Sequence, residues 1–118
     1  MNRKVLFALR LFLLPAIFCC VWQVQEVNAQ PKQQLERARR LATEGDKFYR
    51  QKDYRNAIDR YAQAIALAPN YPYAHLSKGY SHYNLGEYSQ AVTDLDKALE
   101  QGYKKLDVYT IRWQAHYY

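Results

Sequence analysis

The sequence predicts an all-α fold built from antiparallel helix–turn–helix units, on three observations. The chain matches itself at an offset of 34 residues: Lys52–Asp53–Tyr54–Arg55–Asn56–Ala57–Ile58–Asp59 falls on Gly86–Glu87–Tyr88–Ser89–Gln90–Ala91–Val92–Thr93. Gly45 falls likewise on Gly79, Tyr49 on Tyr83, Ala64 on Ala98, and Tyr83 again on Tyr117. Within each unit apolar residues recur three and four apart, the spacing of one helix face. Nowhere does the chain alternate with period two for long enough to argue a strand. A period of this length made of helical segments is the mark of stacked repeats, and such stacks present extended concave binding surfaces.

The elements follow in order. Gln30 to Gln34 is a polar linker, with Pro31 placed to open a helix. From Lys32 to Gln51, Leu35, Ala38, Leu41, Ala42, Gly45, Phe48 and Tyr49 form the apolar stripe of a first helix. Asp53 is a candidate N-cap for a second, running to about Ala68, with Tyr54, Ala57, Ile58, Tyr61, Ala64, Ile65 and Leu67 inward. Pro69–Asn70–Tyr71–Pro72 stops it, because a residue before proline is pushed out of the helical region. A third helix spans about Tyr73 to Asn84 and ends at Leu85–Gly86, where glycine takes the left-handed conformation of a helix stop. A fourth spans about Tyr88 to Gln101 and stops at Gly102. A fifth starts near Leu106 or Asp107 and is still helical in pattern at Tyr118.

The 118 residues allow one domain, and the repeats do not begin at once. Asn2–Arg3–Lys4 is basic, Leu11 to Trp22 is apolar apart from Pro15, and Val27–Asn28–Ala29 supplies small residues before Gln30. Basic, apolar and small-residue segments in that order read as a secretory signal peptide over 1–29, cleaved after Ala29. Export, to a periplasm or out of the cell, follows, with membrane contact only transient. The alternative is an uncleaved membrane anchor. That needs ~20 apolar residues, and Val5 to Trp22 comes close only by including Arg10, which costs roughly 2.5–3.5 kcal/mol inside a spanning helix. A lipoprotein is disfavoured because Cys19 follows Phe18 and Cys20 follows Cys19, so neither cysteine has the small residue required before it. Both cysteines fall in the leader. The remaining 89 residues hold no thiol and must fold by packing alone.

Loss of Arg3, Lys4, Arg10 and Glu26 with the leader lowers the formal charge from +6 to +4. The residual charge is interleaved apart from Arg37, Arg39 and Arg40, which read as a solvated helix face rather than a nucleic-acid patch.

These residues resemble the tetratricopeptide repeat family. The first unit, 38–71, has Gly45 where the family wants a small residue and Phe48 where it wants an aromatic. Ala57, Tyr61 and Ala64 form its small–aromatic–small series, and Pro69 its terminal proline. The second unit, 72–105, carries Gly79, Gly86, Tyr88, Ala91, Leu95 and Ala98. It departs at His82, in place of an aromatic, and at Tyr103, in place of proline. The third, 106–118, has its first helix only, with Trp113 where glycine is preferred. The resemblance implies an α-solenoid wound in a right-handed superhelix. Its small residues let helix backbones approach closely while larger side chains fill the gaps.

Chemistry-bearing motifs are few. His75 and His82 lie on one face of the third helix, and His116 is 34 residues beyond His82. A zinc site wants four ligands, no cysteine or matching carboxylate completes the set, and these histidines read as packing residues; no metal or other cofactor is expected. Glu87, Asp94 and Asp96 read as helix-start and exposed-face residues. With no phosphate loop, nucleophile motif or catalytic carboxylate pair, an enzyme is not expected.

By resemblance, the first helices of the units line a concave groove that takes an extended peptide or a partner's helix. Its residues would be Arg39, Ala42, Asp46, Tyr49 and Arg50, then Tyr73, Leu76, Tyr80, Tyr83 and Asn84, then Asp107, Thr110, Gln114, Tyr117 and Tyr118. Tyrosine suits recognition, with a large apolar face, a hydroxyl and little entropy to lose. Repeats that hold the C-terminal carboxylate of heat-shock chaperones place basic and amide groups where this chain has Ala42, Asp46, Ser77, Asp107 and Ile111. None matches, and the two aspartates would repel a carboxylate.

The fifth helix is apolar on several sides, and Trp113 would face the place of a sixth. Either the chain is the front of a longer protein, or another subunit closes this edge, or Trp113 substitutes for the missing helix. The expected function is a non-enzymatic interaction scaffold or adaptor; the alternative is a spacer or dimerisation element using the edge at Trp113.

Overall fold

The computed structural model describes residues 31–118, and the first of these are helical. The leader expected over 1–29 lies outside the described residues. Helix α1 is seen over 31–50, so Lys32 to Gln34 belong to it rather than to a linker. It is followed by α2 (Tyr54–Leu67), α3 (Pro72–Asn84), α4 (Tyr88–Glu100) and α5 (Leu106–Tyr117). No strand occurs among the described residues. From α2 onward each helix packs on the next, and α3 also touches α5. This is an all-α, tetratricopeptide-like helical repeat.

Three helix stops share one hydrogen-bond pattern. After α1, Asp53 N–H donates to Phe48 C=O at 3.0 Å and Lys52 N–H to Tyr49 C=O at 2.9 Å. After α3 the pairs are Glu87 to His82 and Gly86 to Tyr83; after α4 they are Tyr103 to Ala98 and Gly102 to Leu99. Each is a Schellman stop, which needs one residue in the left-handed region. Gly86 (φ +76°) and Gly102 (φ +93°) adopt it freely, whereas Lys52 does so at φ +61° with a side chain. Asp53 caps α2 by accepting from Asn56 N–H at 3.3 Å. Glu87, its counterpart one repeat on, makes no cap and turns its carboxylate to His82 and Arg55.

The core is built on alanine. Ala38, Ala42, Ala57, Ala64 and Ala74 surround the fully buried Tyr61 in one cluster, and Leu76, Leu95, Ala98 and Val108 make the next. Helix α3 supplies Ala74 to the first and Leu76 to the second, so it joins the two. Small side chains allow close helix approach. A Cβ on Gly45 would stand 2.7 Å from the Tyr61 ring, and one on Gly79 3.0 Å from Leu95.

Two sequence expectations are corrected here. Ala42, placed in the groove, is fully buried beneath it. Asp94, placed on an exposed face, is buried because it accepts from Lys78 Nζ at 3.1 Å and faces His82 Nε2 at 3.6 Å.

Candidate functional site

Between α1, α3 and α5 lies a cavity of about 250 Å³. Asp46 and Tyr49 reach it from α1, Tyr73, Leu76, Ser77 and Tyr80 from α3, and Asp107 from α5. Tyr61 of α2 and Tyr103 of the α4–α5 loop complete its lining. Helical spacing explains the set on α3, since 73, 76, 77 and 80 share one face.

Three of the tyrosine hydroxyls in this cavity donate to carboxylates. Tyr61 donates to Asp46 Oδ1 at 2.7 Å and Tyr73 to Asp46 Oδ2 at 2.9 Å, so one carboxylate ties α1 to α2 and α3. Tyr80 donates to Asp107 Oδ2 at 3.2 Å and ties α3 to α5. Burial first, then the hydrogen bond to Asp46, pushes the Tyr73 phenol up to about 12. Tyr61 is raised further for the same reasons. Tyr80 is raised by burial and then by the Asp107 charge.

The 46/73 and 80/107 pairs are the same pair one repeat apart, with donor and acceptor exchanged. The first is Asp–Tyr and the second Tyr–Asp. Both tyrosines therefore sit on α3 and donate outward, which leaves a carboxylate on each side of one cavity.

Of the groove residues expected from the sequence, Asp46, Tyr49, Tyr73, Leu76, Tyr80 and Asp107 come together here. Arg50 lines an adjoining recess with Asp46, Tyr49 and Tyr73, its Nε donating to the Asp46 carbonyl at 3.2 Å. Asn84 bridges the Tyr49 hydroxyl at 3.0 Å and the Tyr80 carbonyl at 2.8 Å. Tyr83 donates to Gln114 Oε1 at 3.2 Å, a second tie between α3 and α5. Arg39 pairs with Glu36 on its own helix, and Tyr117 packs on Trp113 with ring centroids 4.6 Å apart. None of Arg39, Tyr83, Asn84, Gln114 and Tyr117 lines the cavity itself. Tyr61, Ser77 and Tyr103 were not among the groove residues read from the sequence. The signal for Tyr61 was its place opposite Gly45, whose missing side chain leaves room for the ring.

The histidines are held by their own fold. His75 Nε2 lies 3.1 Å from the Pro69 carbonyl, which also accepts from Gln101. His82 places Nδ1 2.6 Å from Glu87 Oε2, and Arg55 pairs with the same carboxylate. That hydrogen bond from His82, and then Arg55, lower the Glu87 carboxyl below the usual glutamate range. Among the described residues no group of three histidine, cysteine or acidic side chains is arranged to hold a metal, and no helix is long and apolar enough to cross a membrane.

The family model described as TPR repeat matches residues 45–86, which run from the α1 glycine to the stop of α3. The chain belongs to the tetratricopeptide repeat family. It is 33% identical over 89 residues to the small glutamine-rich tetratricopeptide repeat-containing protein 2 of Saccharomyces cerevisiae, a match covering 70% of this chain and 25% of that protein. It is 38% identical over 76 residues to serine/threonine-protein phosphatase 5 of Homo sapiens, covering 58% and 15%. To protein PHOX1 of Arabidopsis thaliana it is 33% identical over 72 residues, covering 56% and 10%. The match spans a quarter or less of each relative's length. Tetratricopeptide repeats are protein-interaction modules.

Proposed function

We propose that the protein is an exported, non-enzymatic scaffold that holds a peptide or a partner's helix in the groove between α1, α3 and α5. The observation that carries this reading is the tyrosine-lined cavity assembled from successive repeat units. Aromatic side chains are the commonest anchors of protein interfaces, and all of these but Tyr61 are half-buried rather than sealed away. Nucleic acid is not the partner, since Arg39 is paired on its own helix and the cavity is acidic. Export rests on the basic, apolar and small-residue order of 1–29, and mass spectrometry of the protein from its host is expected to find a chain beginning at Gln30.

Two variants test the groove. Tyr80→Ala removes a ring from the cavity, while Tyr80→Phe keeps the ring and loses only the hydroxyl bond to Asp107. Capture of the native partner is expected to fall about tenfold in the alanine variant, the scale of an interface hot spot, and to survive in the phenylalanine variant. If capture instead tracks the melting temperature across both variants, Tyr80 is a packing residue and the reading fails.

Self-association is the second reading, favoured by Leu106, Tyr109, Trp113, Tyr117 and Tyr118, all exposed on and just after α5. Trp113 is 60% exposed. Sedimentation of the full chain and of Trp113→Ala separates the two readings, because only a dimer built on this edge loses mass with the tryptophan.

A further inference from the structure

The cavity has an unusual charge balance for its surroundings. The protein is basic, at +6, yet the lining holds two carboxylates, five tyrosines and no lysine, arginine or histidine. Among the described ion pairs neither Asp46 nor Asp107 has a cationic partner. Nor is either carboxylate saturated. Asp46 accepts one tyrosine on each oxygen, and Asp107 accepts Tyr80 on Oδ2 and its neighbour's N–H, Val108, on Oδ1. An ionised carboxylate offers about four acceptor sites, so each has capacity left. Two flanking cations touch lining residues without pairing either carboxylate: Arg50 Nε bonds the Asp46 carbonyl, and Lys105 Nζ lies 5.6 Å from the centre of the Tyr103 ring.

We propose that this cavity receives the guanidinium of an arginine side chain from the bound peptide or partner helix. The inference rests on the groove reading and names its ligand. Tyrosine faces attract cations through the ring quadrupole, arginine most often. A planar guanidinium stacks on a ring and presents donors in a fork that matches carboxylates, which a lysine ammonium cannot do. Two carboxylates lining one recess add their fields at its centre. At about 250 Å³ the cavity is smaller than the ~300–1,000 Å³ of pockets for drug-sized ligands, and it suits one long side chain. The exchange of donor and acceptor between the 46/73 and 80/107 pairs is what sets the second charge on α5, across α3 from Asp46 on α1. A strict repeat of the first pair would have put the second aspartate at position 80 and a tyrosine at 107.

The test is a nuclear magnetic resonance titration of the full chain with acetyl-Gly-Ser-Arg-Ser-Gly-amide and with the same peptide carrying citrulline or glutamate in place of arginine. Citrulline keeps the shape of arginine and removes its charge. The arginine peptide is expected to shift the resonances of Tyr49, Tyr73, Tyr80 and Tyr103 and to bind about tenfold more tightly than the citrulline peptide, the size of one charge-assisted contact. Asp107→Asn, which keeps an oxygen for Tyr80, and Asp46→Asn, which keeps one for either Tyr61 or Tyr73, are each expected to abolish that preference, and added salt to weaken it. Equal binding of all three peptides, or preference for citrulline or glutamate, overturns the arginine assignment and leaves the groove standing. If no peptide moves any of the four tyrosines, the assignment and the groove reading both fall.

Discussion

Gly45 and Tyr61 meet where α1 crosses α2, and the missing side chain of one is the space filled by the other. Tyr61 cannot retreat from an added methyl group, being fully buried and bonded to Asp46. Gly45→Ala is expected to cost ~1–3 kcal/mol by overpacking, offset by about 1 kcal/mol of helix propensity. Gly79→Ala meets Leu95 at 3.0 Å and the Ala91 carbonyl at 3.3 Å, looser than the 2.7 Å at Gly45, and is expected to cost less, and urea denaturation of the two variants compares them directly. The buried phenols make a second prediction. Tyr73 titrates at the ordinary 10.0 when unfolded and at about 12 when folded. The folded state therefore holds its proton after the unfolded state has released it, so this contribution is whole below pH 10 and is lost as pH rises toward 12. Thermal melts across that window should fall more steeply in the wild type than in Tyr73→Phe.

The helix stops show what element-level reading can and cannot find. Gly86 and Gly102 announce two of the Schellman turns in the sequence, because glycine occupies left-handed backbone without strain. The third turn, at Lys52, was located by the end of the first apolar stripe and the Asp53 cap, but its backbone state was not legible. Only the 34-residue match with Gly86 hints at it. Left-handed backbone costs a residue with a Cβ roughly 1–2 kcal/mol, part of which glycine loses again through its freer unfolded chain. Lys52→Gly is accordingly expected to stabilise the protein by up to about 1 kcal/mol, measured as a higher denaturation midpoint at unchanged slope; a lower midpoint would show that the lysine makes a contact worth more than the strain. The four complete interhelix boundaries were readable because apolar spacing and proline mark them locally. The burial of Asp94 was not, since an acidic residue on a helix looks solvated until Lys78 and His82 are brought to it by packing.

At the scale of the whole molecule, the repeat predicts which helices form a groove, and seven of the fifteen expected groove residues do converge on the cavity or its adjoining recess. The others were expected there because first-helix faces look alike in sequence; Arg39 and Tyr117 are drawn off by partners on their own helices. The acidic character of the cavity arises only when Asp46 and Asp107, 61 residues apart, are stacked on either side of α3. The central claim is that this face, and not the outer one, receives the partner. A photo-crosslinking amino acid placed at Arg50, on the rim of the recess, and separately at the exposed Ala62 on α2, tests it in the native host. The account predicts a covalent partner adduct from position 50 and none from position 62. Adducts from position 62 alone, or equally from both, would contradict it.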